Sequence, residues 1–179
     1  MDKIIHNICI GIDPSLTCTG LVVINGGVVS LKSIKPDGDN IFTKCDQIKR
    51  AIMDNIMDIV MDTELYQNGD YCIAIETPFS GKNMATAAKL AGLGYTIREM
   101  IFNNYDKPFT DVSPSQVKKF IGAKKKDEIM MQVLKRYKVE TANSDEADAF
   151  VLAKIAECYI DPAKCENDKQ REVIAKLKG

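Results

Sequence analysis

A chain of 179 residues with 45% hydrophobic residues can build one sizeable core but is too short for two full domains. The net charge of −1 neither requires nor excludes nucleic acid, since only clustered positive charge would indicate such a partner. No apolar run approaches the roughly 20 residues of a membrane span, so we expect no membrane partner and no export. The six cysteines include no C-x-x-C pair, which predicts small core residues in a reducing compartment rather than a zinc site.

The first predicted strand covers residues 8–13 and ends on a carboxylate. Three isoleucines alternate there with Cys9, Gly11 and Asp13, so Asp13 shares a face with small residues. Burying an unpaired carboxylate costs several kcal/mol, so Asp13 needs a cation, a set of hydrogen-bond donors or a metal ion. Two further strands, over 21–24 and 28–34, flank Asn25-Gly26-Gly27, which is a strong hairpin signal. The fold therefore begins with three antiparallel strands.

A second carboxylate ends the next predicted strand. Isoleucines recur at helical spacing from Ile41 to Ile59, and the strand at 72–76 that follows ends at Glu76. A strand that follows a crossover helix lies parallel to the strand before it. Asp13 and Glu76 should therefore lie at the same end of one sheet.

The segment 83–103 has a helical pattern but is rich in alanine and contains Gly92 and Gly94. Each glycine costs a helix roughly 1 kcal/mol relative to alanine. Close backbone approach would explain them, either through tight packing on the sheet or through a subunit interface.

Positive charge is concentrated after the short strand predicted at 109–112. Ser113 is a candidate N-cap with Pro114 at the first helical position, and residues 116–138 then carry eight bases against two acids, a difference of +6. The bases are Lys118, Lys119, Lys124, Lys125, Lys126, Lys135, Arg136 and Lys138. Such a run is commonly just a solvated face, but this one also suits contact with phosphates.

The last major helix begins with the sequence DEADAF, for which Ser144 is a plausible N-cap. Acids in the first turn could simply complement the helix dipole, but that does not explain Asp148. Asp145 and Asp148 share a face with apolar residues that should meet the core, whereas Glu146 points elsewhere.

Four acids, Asp13, Glu76, Asp145 and Asp148, thus come from three separated elements and could converge at one end of the sheet. Carboxylate oxygens without histidine or cysteine suit Mg²⁺, with Mn²⁺ as a substitute, rather than zinc. Two such ions side by side form the arrangement that hydrolyses phosphodiesters.

Four motifs, spread in order over residues 8–156, resemble those of the RuvC Holliday-junction resolvases of the ribonuclease H-like superfamily. They are GIDPSLTCTG, IETPF with GKNMATAAKLAGLGY, SPSQVKKFIGAKKKDEI and DEADAF. The resemblance implies an α/β fold with a mixed five-stranded sheet, three antiparallel strands and then parallel strands, flanked by helices. We expect a nuclease domain over 1–160 and a charged tail over 161–179, which has no counterpart in the family pattern and in which residues 172–177 could be a short helix or disordered.

The same resemblance implies a Mg²⁺-dependent endonuclease that cuts branched DNA, above all four-way junctions, as a homodimer through the 83–103 helix. The catalytic and metal-binding acids fall on Asp13, Glu76, Asp145 and Asp148, and two ions are expected per site. A basic residue near the scissile phosphate falls on Lys118 and a second on Lys126, where the lysine run leaves the choice open. The other expected DNA contacts are Phe79, Lys82, Lys119, Lys124 and Lys125.

Departures from the family pattern, such as Ser15 in place of the usual glycine, resemble those of phage-encoded members. A cytoplasmic location, in a bacterium or a phage-infected host, follows from this interpretation. Three alternatives remain open: a ribonuclease H acting on RNA/DNA hybrids, a non-catalytic junction-binding protein and, less favoured, an actin-like ATPase.

Overall fold

The computed structural model describes residues 7–61, 71–78, 83–105 and 109–179. Its strands are β1 (Ile8–Asp13), β2 (Thr19–Asn25), β3 (Val28–Ile34), β4 (Tyr71–Glu76) and β5 (Phe109–Val112). Its α-helices are α1 (Ile41–Met61), α2 (Met84–Tyr105), α3 (Pro114–Ile121), α4 (Glu128–Tyr137), α5 (Ser144–Ile160) and α6 (Asp168–Lys178). A short 3₁₀ turn, Pro162–Lys164, connects the last two helices.

The described strands form one mixed sheet in the order β3-β2-β1-β4-β5. Strands β1, β2 and β3 are antiparallel neighbours, whereas β4 and β5 run parallel to β1. The predicted fold class, three antiparallel strands followed by parallel strands with flanking helices, is therefore confirmed. The predicted hairpin is also present, and positive φ values of 56° at Gly26 and 88° at Gly27 suit a two-residue turn of type I′.

The alternation of β1 sends its side chains into two different cores. Ile10 and Ile12 pack with helices α1 and α2 on one face of the sheet, where Ile52 and Ile97 are fully buried. Cys9 belongs to the opposite core, which is built around α5. Both sheet faces are thus covered, so β1 and β4 are buried along nearly their whole length.

Glycines on the second face let α5 lie directly on the sheet. A Cβ atom on Gly11 would come within 2.0 Å of the carbonyl oxygen of Ala149, and one on Gly20 within 2.1 Å of the carbonyl oxygen of Asp145. Only the absence of a side chain allows these backbones to approach so closely. The small residues beside Asp13 therefore set the height of α5 above β1.

Of the two helix N-caps predicted from the sequence, one is confirmed and one is wrong. Ser113 caps α3 in a capping box with Gln116, as predicted. The cap of α5 is Asn143 rather than the predicted Ser144, because the Asn143 side chain accepts a hydrogen bond from the backbone N–H of Glu146. The helix thus begins one residue earlier than a serine cap would place it.

Residues 161–179 are not disordered. Helix α6 packs its Val173 and Ile174 side chains, together with Cys165, into the core that surrounds α5. The helical alternative for 172–177 is therefore the one that the structure has. None of the described helices combines the length and apolarity that a membrane crossing requires.

Candidate active site

Asp13 and Glu76 lie side by side where their parallel strands end. Ile12 of β1 is in register with Ile75 of β4, so each acid follows a matched pair at the carboxyl edge of the sheet. Asp13 is buried, with 8% of its surface exposed, and Glu76 is half-buried. The shared strand end predicted from the crossover connection is therefore present.

Helix α5 adds a third carboxylate to this pair. Asp148 is 3% exposed, and ligand oxygens of Asp13, Glu76 and Asp148 all lie within 4.8 Å of one another. Asp145, one turn earlier, lines the same cleft but does not belong to that close group. Asp13, Glu76 and Asp145 thus line one cleft of about 200 Å³. Asp148 joins it through its close approach to Asp13 and Glu76.

Among the described lysines, Lys126 is the one that pairs directly with one of these four acids. Its Nζ lies 3.0 Å from Oδ2 of Asp148, and the side chain lines the cleft. Lys118 is close enough that its charge lowers the pKa values of Glu76 and Asp148. Within the ambiguous run 124–126, the structure therefore brings Lys126 to the acids.

The remaining expected DNA contacts are placed less closely or not at all. Lys119 pairs with Glu172 of α6 and borders a different cavity. Lys124 and Lys125 are exposed beside Lys126. Phe79 and Lys82 lie outside the described residues.

Mutual repulsion and burial dominate the electrostatics of the cluster. Burial, followed by the charges of Glu76 and Asp148, raises the pKa of Asp13 well above its ordinary value. Burial and the charge of Asp148 raise the pKa of Glu76 to about 7. Burial also raises the pKa of Asp148, although Lys126 opposes that rise. A single lysine therefore does not neutralise these acids, and the cluster carries an unmet demand for positive charge.

One atom shows this demand directly. Oδ1 of Asp148 is buried and has no hydrogen-bond partner among the described residues, although its other oxygen contacts Lys126. A buried carboxylate oxygen without a hydrogen-bond partner, in a residue grouped with two further carboxylates, fits a bound cation. An all-oxygen donor set fits Mg²⁺ or Mn²⁺. The residues present are therefore suited to a divalent metal ion.

Two residues near the site have roles that the sequence did not indicate. Arg98 of α2 is 8% exposed and donates from Nη2 to the carbonyl oxygen of Glu76. Glu146 does point away from the cleft, but it is buried, and it accepts hydrogen bonds from Ser33 and from the backbone of Ala142. The contacts of Arg98 with Glu76 and of Glu146 with Ser33 join distant segments of the chain, so no local spacing predicts them.

Comparison with known proteins agrees with this geometry. The sequence model of the family described as "Crossover junction endodeoxyribonuclease RuvC" matches residues 9–156. The solved structure "T. thermophilus RuvC in complex with Holliday junction substrate" has a TM-score of 0.61 and 18% identity, covering 97% of this chain and 96% of that one. "Thermus thermophilus RuvC structure" has a TM-score of 0.57 at 18% identity, with 96% of each chain covered. No curated protein sequence matches the chain.

At 18% identity the two solved structures establish the fold, whereas the match to the family model indicates the type of reaction. The match spans β1 through most of α5 and so includes every element that contributes an acid to the cleft. The chain therefore belongs to the RuvC family of crossover junction endodeoxyribonucleases, enzymes that cut DNA at junctions.

Proposed function

We propose that this chain cleaves four-way DNA junctions by metal-assisted hydrolysis of a phosphodiester in the cleft beside Asp13. The observation that carries the proposal is the convergence of Asp13, Glu76 and Asp148 from β1, β4 and α5 to within 4.8 Å. The solved relative named as a complex with a Holliday junction substrate supports the choice of a four-way junction.

The acids would hold two divalent cations, with Mg²⁺ as the natural ion and Mn²⁺ as a substitute. Asp13, Glu76 and Asp148 supply the closely grouped oxygens, and Asp145 extends the donor set along the cleft wall. Such ions, when bound, activate a water and stabilise the leaving oxygen of the phosphodiester.

Two lysines would balance the charge that develops on the scissile phosphate. Lys126 already contacts Asp148, and a cation that takes over that carboxylate would free its Nζ for a phosphate oxygen. Lys118 acts from the neighbouring helix, because its charge already reaches Glu76 and Asp148. Both side chains thus place positive charge where the reaction adds negative charge.

The other proposed DNA contacts extend outward from the cleft. Lys124 and Lys125 are exposed next to Lys126 and suit phosphates of the backbone. Lys119 would have to leave its ion pair with Glu172 to bind DNA. For Phe79 and Lys82 the support is the family resemblance, together with the position of Pro78 on the cleft wall directly before them.

We also propose that the enzyme is a homodimer through α2. Tyr95 and Phe102 of that helix are 73% and 70% exposed. Apart from the backbone of its own helix, no atom of the described residues lies within 4 Å of where a Cβ on Gly92 would be. Packing against the described part of one subunit therefore does not account for Gly92, whereas the close approach of a second helix would. A cytoplasmic location, in a bacterium or a phage-infected host, is part of the same proposal, and it is supported by six free cysteines.

The decisive experiment compares cleavage of a four-way junction, a linear duplex and an RNA/DNA hybrid in the presence and absence of Mg²⁺. We expect Mg²⁺-dependent cleavage of the junction alone. Asp13→Asn should lower the rate by more than about 100-fold, since even outer-shell partners of a metal are commonly worth 10- to 100-fold. Junction binding by this variant should persist.

Asp39→Asn is the matched control, because Asp39 is an exposed acid outside the cleft and should leave the rate unchanged. Preferred cutting of the hybrid would indicate a ribonuclease H instead. Junction binding without any cleavage would indicate a non-catalytic binding protein. Loss of binding together with cleavage in a folded Asp13→Asn variant would contradict the metal-binding role of Asp13.

A further inference from the structure

We propose that Arg98 is a positioning residue for the metal centre, which fixes the end of β4 so that the Glu76 carboxylate can bind a cation. The inference rests on the proposed function, in which Glu76 is a metal ligand. Helix α2 would then support the metal site of its own subunit in addition to forming the proposed dimer interface.

The Arg98 guanidinium connects three backbone segments around Glu76. Its Nη2 donates to the carbonyl oxygen of Glu76 at 3.3 Å and to Oδ1 of Asp111 at 2.5 Å, and its Nε donates to the same Asp111 oxygen at 2.8 Å. Its Nη1 donates to the carbonyl oxygen of Gly94 at 3.0 Å. The planar group also lies 5.8 Å from the ring centre of Phe109. One side chain thus ties α2 to the ends of both β4 and β5.

The residues after Glu76 are held from the same two sides. The backbone N–H of Thr77 donates to the carbonyl oxygen of Val112 at 2.8 Å. Gly94 lies against Pro78, since a Cβ atom there would be 3.3 Å from Pro78 Cγ and 3.0 Å from Nη1 of Arg98. Residues 76–78 are therefore clamped between α2 and β5.

Glu76 needs such support because the sheet does not provide it on the side of Asp13. The register of β4 with β1 ends at Ile75, so Glu76 continues the ladder only toward β5, where it is paired with Val112. Its side chain meanwhile faces two carboxylates that repel it. This repulsion favours displacement of Glu76 away from Asp13 and Asp148. A buried guanidinium makes charge-assisted hydrogen bonds in a fixed planar geometry, so it holds the end of β4 in place better than a flexible ammonium group can.

A purely structural role for Arg98 would give a different result from a positioning role. If Arg98 is purely structural, its substitution lowers thermal stability but leaves metal binding by the folded protein unchanged. If Arg98 is a positioning residue, its substitution weakens metal binding by the folded protein even without DNA, and excess metal restores the cleavage rate. Metal affinity of the DNA-free enzyme is therefore the discriminating measurement.

The test is Mn²⁺ binding to the full chain by isothermal titration calorimetry, with Arg98→Gln and Arg98→Lys beside the unsubstituted protein. We expect both variants to bind Mn²⁺ about 10-fold or more weakly, as is typical when an outer-shell partner is lost. Their Mg²⁺ half-saturation for cleavage should rise accordingly, whereas junction affinity in EDTA should not change. Arg50→Gln is the matched control, because Arg50 forms an exposed pair with Asp46 on α1 and should bind Mn²⁺ normally.

Glu76→Gln separates failure of this inference from failure of the proposed function. If Glu76→Gln weakens Mn²⁺ binding but folded Arg98 variants do not, the positioning role is wrong and the metal site stands. If Glu76→Gln binds Mn²⁺ normally, the proposed metal site itself is wrong. Should the Arg98 variants not fold, Gly94→Ala perturbs the same clamp more gently, and normal Mn²⁺ affinity of that variant would overturn the inference.

Discussion

The clustered carboxylates of Asp13, Glu76 and Asp148 repel one another, and among the described residues Lys126 is the one cation that pairs directly with any of the three. Each of the three has a raised pKa, with burial as the first cause. Such a cluster destabilises the folded chain once its protons are lost, unless a cation replaces them. The same repulsion that lowers the stability of the metal-free protein would therefore favour binding of a cation.

This cost predicts a specific dependence of stability on pH. The pKa of Glu76 rises from 4.5 to about 7 on folding, so between those values the folded state holds a proton that the unfolded chain has released. The stabilisation from this bound proton is present in full below pH 4.5, the pKa of Glu76 in the unfolded chain. It is lost as the pH rises through about 7, the pKa of Glu76 in the folded state. In EDTA we expect the free energy of unfolding to fall by up to about 3 kcal/mol over that range, measured as a drop in Tm of about 10 °C.

Mg²⁺ should reverse this loss, because cations bind the deprotonated carboxylates. The Mg²⁺-induced rise in Tm is therefore expected to be larger above pH 7 than below pH 5. Glu76→Gln should flatten the pH dependence in EDTA, whereas Asp39→Asn, at an exposed acid, should leave it intact. Equal Mg²⁺ stabilisation at both ends of the range would contradict the role of these carboxylates.

At the level of elements, the contact between α5 and β1 decides whether the acids meet. Helix α5 carries Asp145 and Asp148, and its height above the sheet is set by Gly11 and Gly20. Backbone atoms, not flexible side-chain ends, fill the space beside Gly11. The chain therefore has no inexpensive way to accommodate a larger residue there.

Gly11→Ala is expected to destabilise the protein by about 2 kcal/mol or more, since a Cβ would lie 2.0 Å from the Ala149 carbonyl oxygen and 2.4 Å from the Ala153 nitrogen. Chemical denaturation measures this loss. The rate of junction cleavage by the folded variant should also fall, because a displaced α5 moves Asp148 away from Asp13. Cys9→Ala, two residues earlier on the same face, removes volume instead and serves as the control. A Gly11→Ala variant with normal stability and activity would refute the close contact.

At the scale of the whole molecule, the proposed homodimer would present two active sites to one four-way junction, with α2 as the proposed contact surface. Its exposed aromatic residues and the unoccupied space beside Gly92 suit helix-to-helix contact. Arg98 of the same helix donates a hydrogen bond to the carbonyl oxygen of Glu76 at the end of β4. The proposed interface and the metal centre are thus connected through a single helix.

Tyr95→Glu should therefore weaken the dimer by about 2 kcal/mol, or roughly 30-fold in Kd, as is typical for an interface tyrosine. Sedimentation analysis measures the shift toward monomer. Phe42→Glu is the matched control, because Phe42 on α1 is also a highly exposed aromatic residue, at 81%, but lies outside the proposed interface. A monomeric unsubstituted protein, or dissociation by Phe42→Glu alone, would refute the interface.

The sequence by itself determined the order of the elements and the end of the sheet at which Asp13 and Glu76 lie. Both follow from local rules: alternation along strands, helical spacing and the parallel pairing that a crossover connection imposes. The hairpin at Asn25-Gly26-Gly27 and the Ser113 cap were predictable for the same reason. The Asn143 cap was not, since Asn143 and Ser144 satisfy the same local preference equally well.

Only the tertiary structure decided which groups meet across long stretches of chain. Lys126, rather than Lys124 or Lys125, reaches Asp148 because the loop after α3 turns it toward the cleft. Arg98 reaches Glu76 because α2 lies beside the ends of β4 and β5, where Arg98 also contacts Asp111. The segment after residue 160 joins the core because α6 packs against α5. These contacts depend on how helices lie on the sheet, which is set by side-chain volumes in three dimensions and leaves no periodic trace in the sequence.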